Sequence, residues 1–142
     1  MRVLLLNPSI KPEQFGRFAS LLEAMPCIGL AYVATFLSKA GHDVRVFDDF
    51  ALGAGREKVL EAISSFQPDV LGVSVLTPVA TDIANLLLTM KRRSPDTKVM
   101  LGNIHADLFP ETFVGLADAI VHGEGEQASV ELLDAWSKGK TG

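Results

Sequence analysis

Cysteine is nearly absent. Cys27 stands alone in 142 residues, which excludes an internal disulfide framework and any zinc or iron–sulfur site built from several cysteines. A reducing cytoplasm is the expected compartment. Long hydrophobic runs are missing too. No apolar stretch reaches the ~20 residues that a membrane helix needs. Met1-Arg2 leads straight into strand pattern, so no signal peptide is expected. Positive charge is scarce. The 13 Lys and Arg against 17 Asp and Glu give a net charge of −4, and the pI is near 5.3. A nucleic-acid binder would carry a basic patch. The only concentrated one, Lys91-Arg92-Arg93, reads as a helix C-terminus facing its own dipole. Neither nucleic acid nor membrane is an expected partner.

What is there is apolar and ordered. Hydrophobic residues make up 48% and mean hydropathy is +0.27, enough for one domain with a real core. Val3 to Leu6 is a short apolar run stopped by Asn7-Pro8, a buried strand. Residues 9–25 are mixed and predict a long loop or a short irregular helix; a loop that long is more often functional than idle. Pro26 suits a helix first turn, and the helix runs from about Cys27 to Ala40, stopping at Gly41. Asp43 to Asp48 alternates polar and apolar, which predicts a strand near an edge.

The alternation continues. Arg56–Phe66 has helical spacing, and Val70–Val75 is apolar enough for a central strand. Val79–Arg93 places Ile83, Leu86, Leu87 and Met90 on one helical face. Lys98–Leu101 is a fourth strand, Pro110–Leu116 a short helix, Ala119–His122 a fifth strand and Glu124–Trp136 the last helix. Five strands, each followed by helix, predict an α/β domain of three layers, flavodoxin-like (Rossmann-like), with a five-stranded parallel sheet in the order 2-1-3-4-5. The domain is expected to span residues 1–136. The polar, glycine-rich 137–142 reads as the start of a linker.

In an open α/β sheet, ligands bind at the carboxyl ends of the strands. Here those ends are Asn7-Pro8-Ser9, Asp48-Asp49, Ser74 to Thr77, Gly102 to His105 and His122 to Glu126. Small, polar and glycine-rich ends let backbone approach a large ligand. Several familiar sites fail against them. There is no phosphate-binding G-x-x-x-x-G-K-[ST] loop. Gly53-Ala54-Gly55 starts a dinucleotide fingerprint, but its third position is Lys58 and it follows the second strand. A receiver domain would need aspartate where Ser74 ends strand three, and no serine sits in a G-x-S-x-G elbow. Cys27 reads as a packed thiol or, at a helix start, an activated one. His42 reads as a solvent-facing cap. His105 and His122 follow strands four and five and read either as ligand contacts or as structural hydrogen-bonding groups.

Taken in order, the strand ends form a pattern. It comprises Pro26-x-x-Gly29-Leu30-Ala31-Tyr32-Val33-Ala34, Gly41-His42-x-Val44 and Pro68-Asp69-Val70-Leu71-Gly72-Val73-Ser74. Then come Leu101-Gly102-Asn103-x-His105-Ala106, Pro110-Glu111, Asp118-x-x-Val121 and Gly123-Glu124-Gly125-Glu126. The ordered set resembles the N-terminal cobalamin-binding domain of B12-dependent radical SAM proteins. That group includes anaerobic magnesium-protoporphyrin monomethyl ester cyclase-like proteins and many methyltransferases. The resemblance covers nearly the whole chain.

The resemblance implies a domain that holds cobalamin and does no bond chemistry itself, so no residue is assigned a catalytic or metal-ligating role. Asn7, Pro8, Ser74, Leu76, Thr77, Gly102, Asn103, His105, His122, Gly123, Glu124, Gly125 and Glu126 would surround the cofactor. Ser74-x-Leu76 matches the S-x-L of the wider family, in which the serine contacts the benzimidazole tail. Two departures stand out. The family's Gly-Gly pair after strand four is Gly102-Asn103 here, and Asn tolerates the αL region. The Asp-x-His-x-x-Gly motif of methionine-synthase-like domains is missing after strand one, so no histidine there can ligate cobalt from below. In an intact protein, a C-terminal radical SAM module would add S-adenosylmethionine and a [4Fe-4S] cluster, whose C-x-x-x-C-x-x-C ligands this chain lacks. The alternatives are a flavodoxin-like nucleotide-binding domain, with Asp48 on a ribose hydroxyl, or a degenerate B12-like domain that only docks a partner.

The Gly123 to Glu126 loop also has two readings. Carboxylates at a helix start offset the dipole by roughly 0.3–1 kcal/mol each, which gives a capped helix and nothing more. The two glycines instead fit a backbone that must approach a ligand, and the resemblance places this loop against the cobalamin tail and corrin amides.

Overall fold

The computed structural model describes residues 1–10 and 27–139. Within them, a parallel five-stranded sheet has the order β2-β1-β3-β4-β5, as the alternation predicts. The strands are β1 (Arg2–Asn7), β2 (Asp43–Asp48), β3 (Val70–Ser74), β4 (Lys98–Gly102) and β5 (Ala119–Ile120). The helices are α1 (Ile28–Lys39), α2 (Asp49–Leu52), α3 (Arg56–Phe66), α4 (Ala80–Arg93), α5 (Ile104–Leu108) and α6 (Gly125–Ser137). The expected loop over 9–25 and the proline start of α1 lie largely outside the described residues, as does 140–142 of the expected linker.

Strand periodicity divides the core between the sheet's two faces. Leu4, Leu6, Leu71, Val73, Val99 and Leu101 point to one side and pack under α3 and α4, joined by Phe113. Val3, Leu5, Val70 and Met100 point to the other, under Leu30 and Leu37 of α1 and Leu133 and Trp136 of α6. β3 is buried along its whole length, which explains its continuous apolar run. β2 is an edge strand and is half exposed, which explains its alternation.

Two short helices depart from the sequence reading. Asp48 caps α2 by accepting a bond from Ala51 N at 3.2 Å. Asn103 caps α5 by accepting one from Ile104 N at 2.7 Å. The helix expected over 110–116 is only a 3-10 turn, Pro110–Phe113. A further 3-10 turn, Thr77–Val79, precedes α4.

Candidate functional site

One face of the sheet runs out of side-chain volume toward its carboxyl end. Register aligns Leu5, Gly72, Met100 and Ala119 across β1, β3, β4 and β5. The next row on that face pairs Ser74 with Gly102. Alternate positions on β3 therefore drop from Val70 to the small Gly72 and Ser74, and on β4 from Met100 to Gly102. The space left over is a cleft of about 260 Å³, walled by the first turns of α1 and α6. Leu5, Gly72, Met100, Leu30 and Val33 form its apolar part. Ser74, Gly102, Asn103 and Gly123 to Glu126 form its polar part.

The glycines differ in why they are glycine. A Cβ on Gly72 would stand 2.6 Å from Leu5 Cδ2 and 3.1 Å from Met100 Cε, so the floor admits no side chain as packed. A Cβ on Gly125 would come 3.2 Å from Val33 Cγ2, where α6 meets α1. Gly123 has φ +66°, the left-handed turn out of β5. At Gly102 the nearest atom to an added Cβ is Val121 O, at an ordinary 3.6 Å. The protein's own packing does not require glycine there, and its open side faces the cleft.

Ser74 is 9% exposed. Its Oγ accepts a bond from Asn103 Nδ2 at 2.9 Å. Asn103 has φ 78° and ψ 169°. That is not the αL region expected for it but the neighbouring one that is essentially glycine-only. The asparagine thus occupies a glycine's backbone conformation, which gives a physical reason for the Gly-Gly pair usual at this place. Its capping bond to Ile104 N and its bond to Ser74 hold the strained backbone in place.

The loop before α6 is not a capped helix start. Glu124 occupies the N-cap position, with no side-chain cap hydrogen bond. Of the two sequence readings, side-chain capping therefore does not account for Glu124, and only Glu126 stands in the first turn as a dipole partner. Ser129, one turn further on, is buried and lines the cleft.

The remaining sequence-derived candidates stand outside the cleft lining. Asn7 Nδ2 donates to Asp48 Oδ1 at 2.8 Å, and Pro8 is buried beside it in sequence. Leu76 and Thr77 are exposed beyond the end of β3. His105 is 9% exposed. Its Nδ1 lies 3.2 Å from Thr77 Oγ1, and its ring stacks at a tilt on Phe109 and edge-on to Phe113. His122 Nδ1 is within ion-pair distance of Asp107 Oδ1, at 2.9 Å, but outside hydrogen-bond geometry. Asp48 accepts from Asn7, Ala51 N and, at 3.4 Å, Cys27 N. Those bonds use most of the roughly four acceptor sites of the carboxylate that a ribose-binding reading would need.

Sequence reasoning missed the apolar part of the cleft. Leu5, Leu30, Val33 and Met100 look like ordinary core residues in the chain. The one available signal was Gly72, a glycine inside an otherwise apolar strand, which marks a close approach.

The cleft suits one part of a large ligand. It falls just below the roughly 300–1,000 Å³ of pockets that enclose drug-sized ligands. A flat heteroaromatic ring against Leu5, Gly72 and Met100, with polar groups at Ser74 and the α6 loop, fits its lining. A corrin ring does not fit inside and would have to lie outside the strand ends. Among the described residues no group of three or more His, Cys, Asp or Glu could hold a metal ion, and no helix is long and apolar enough to cross a membrane.

Comparison with known proteins gives the family. A family model described as the B12 binding domain matches residues 17–133. An uncharacterised methyltransferase of Pyrococcus horikoshii is 32% identical over 143 residues, covering 99% of this chain and 30% of the relative. The anaerobic magnesium-protoporphyrin IX monomethyl ester cyclase of Rubrivivax gelatinosus is 31% identical over 144 residues, covering 99% of this chain and 25% of the cyclase. The chain thus spans under a third of either relative. Among solved structures, the cobalamin-dependent S-adenosylmethionine radical enzyme OxsB, with aqua-cobalamin and S-adenosylmethionine bound, superposes with a TM-score of 0.76 at 19% identity. That match covers 96% of this chain and 19% of OxsB. With the family match extending over most of its length, the chain belongs to the B12 binding domain family.

Proposed function

We propose that the chain holds cobalamin with its nucleotide tail in the Gly72 cleft and presents the corrin to a radical SAM module of a larger protein. The observation that carries this is the emptied row on one sheet face. Gly102 leaves open the place where a flat group would insert, over a floor that Leu5 and Met100 close across Gly72, and Ser74 supplies a buried polar contact beside it. Leu5 and Met100 would pack on the inserted base, while Gly102 and the Gly123 to Glu126 loop would bring backbone and carboxylates to its ribose and to the corrin amides. Asn7, Pro8, Leu76, Thr77, His105 and His122 stand around the strand ends, where they would shape the surface beneath the corrin rather than the tail compartment.

Bound cobalamin would supply a cobalt centre able to carry a methyl group or an electron. The chain's own contribution would be to bind, orient and exclude water, as proteins do for many cofactors. The end of β1 reads Asn7-Pro8-Ser9, with no histidine, so none there would replace the tail's base on cobalt. The reading extends to S-adenosylmethionine and a [4Fe-4S] cluster in the attached module, with methyl transfer or oxidative cyclisation as the reaction, and to a cytoplasmic setting. The domain would end at α6, with a linker beyond.

The test is a visible spectrum after incubation with hydroxocobalamin and desalting. Retained corrin absorbance of base-off form is the expected result. A folded chain that retains none overturns the reading.

A further inference from the structure

We propose that Ser129 equips the inner end of the cleft to bond the leading edge of a cobamide's lower base, so that the compartment favours a purine base over dimethylbenzimidazole. This rests on the reading of the cleft as the site of a cobalamin tail.

Ser129 is 2% exposed and lines the cleft. Its hydroxyl has no hydrogen-bond partner among the described residues. Other helix hydroxyls bond back to the preceding turn. Thr35 donates to Ala31 O at 2.8 Å, Thr89 to Asn85 O at 3.1 Å and Ser137 to Asp134 O at 2.8 Å. Ser129 is more deeply buried than these and makes no such bond. A buried hydroxyl left unpaired lowers stability. Nor is this one sealed in. The buried side-chain atoms enclosed without a partner, among the described residues, are His42 Nε2, His105 Nε2 and Asp107 Oδ1. Ser129 Oγ is instead reached from the cleft.

Its depth points to the group it would meet. α6 starts at the carboxyl end of the sheet and runs back along it, so Ser129 lies one turn, about 6 Å, deeper than Gly125. Leu133, one turn further on, belongs to the core and does not line the cleft. The other polar lining side chains, Cys27, Ser74, Asn103, Glu124 and Glu126, stand at strand ends or helix starts, around the mouth. A cobamide's base ends its tail and would enter first. Its five-membered ring carries the ribose, so the six-membered ring leads. In dimethylbenzimidazole that leading edge holds two methyl groups, which leave the hydroxyl unpaired and displace any water that serves it. In adenine it holds ring nitrogens and an amino group, which bond a hydroxyl as acceptor or donor.

The experiment measures affinity of the 142-residue chain for three corrinoids: adeninyl cobamide, cobalamin and cobinamide, which has no base. The wild type is expected to favour adeninyl cobamide over cobalamin by about tenfold, the order expected for one buried hydrogen bond made or lost. Ser129→Ala should abolish that preference, leave cobinamide affinity unchanged and raise the urea midpoint of the empty chain, since an unpaired hydroxyl is gone. Ser129→Cys, which keeps the volume but bonds weakly, should also lose the preference. A wild type that holds both cobamides equally, a folded Ser129→Ala or Ser129→Cys variant with undiminished preference, or an equal loss for cobinamide overturns the proposal and leaves the cobalamin reading standing. Failure of the folded wild type to hold any of the three corrinoids overturns the cobalamin reading and this proposal with it.

Discussion

Asn103 joins two costs in one residue. Its φ of 78° with ψ of 169° is a conformation that L side chains rarely adopt, worth roughly 1–3 kcal/mol of strain. Its side chain returns part of that through the Ile104 and Ser74 bonds. Replacing an asparagine N-cap by glycine loses only a few tenths of a kcal/mol. Asn103→Gly is therefore expected to stabilise the chain by about 1 kcal/mol, read as a higher urea midpoint with an unchanged slope. Asn103→Val should lose about 2 kcal/mol or more, having neither the backbone freedom nor the bonds. Gly72 is the opposite kind of residue, fixed by space and not by torsion. Gly72→Ala would push its methyl against the tips of Leu5 and Met100. Those tips can yield, so a loss of about 1 kcal/mol is expected, with corrinoid retention falling more than stability does. A corrinoid titration beside a melting curve separates the two effects.

Elements show where the sequence was legible. α3 and the continuous apolar β3 matched their patterns because burial follows periodicity there: Val59, Leu60, Ile63 and Phe66 are all buried, as is every residue of β3. α2 and α5, of 4 and 5 residues, were missed because they are too short for a hydrophobic period to register. They exist through their caps, Asp48 and Asn103, whose roles need the fold to be seen. The cleft divides in the same way. Its polar half was legible from the rule that strand ends carry the site. Its floor was not, since a leucine or methionine beneath a ligand reads like one in a core. Glu124 shows what the α6 start gives up. Serine there would cap the helix and gain about 0.5–1 kcal/mol. Glu124→Ser is thus expected to raise the melting temperature and weaken cobalamin retention. A gain in both would remove the carboxylate from the site.

For the whole molecule, acid acts in two windows. Burial, then the nearby N-terminal ammonium, hold His42 below its ordinary 6.5, against the opposing pull of Asp134. Protonation is then harder in the folded chain than in the unfolded one. The associated stability is present above about pH 6.5 and is lost as pH falls toward the lowered folded value. Asp118 is pushed up by burial, but bonds from Lys91 and Val99 N and the charges of Lys91 and Lys98 together outweigh this and hold it below 3.8. Its contribution is present above about pH 4 and is lost below, through the folded value. Urea titrations across pH should show both declines, the first absent in His42→Gln and the second in Asp118→Asn. The unequal filling of the two sheet faces has a consequence in time. Among the described residues, the α3 and α4 side holds the larger cluster of buried apolar residues, and the α1 and α6 side is interrupted by the cleft. The fuller layer should surrender its amide protons only when the whole chain unfolds, and the cleft layer through smaller, more frequent openings. Deuterium should therefore reach α1 and α6 about tenfold sooner than α4, and a bound corrinoid should bring the two layers onto one clock.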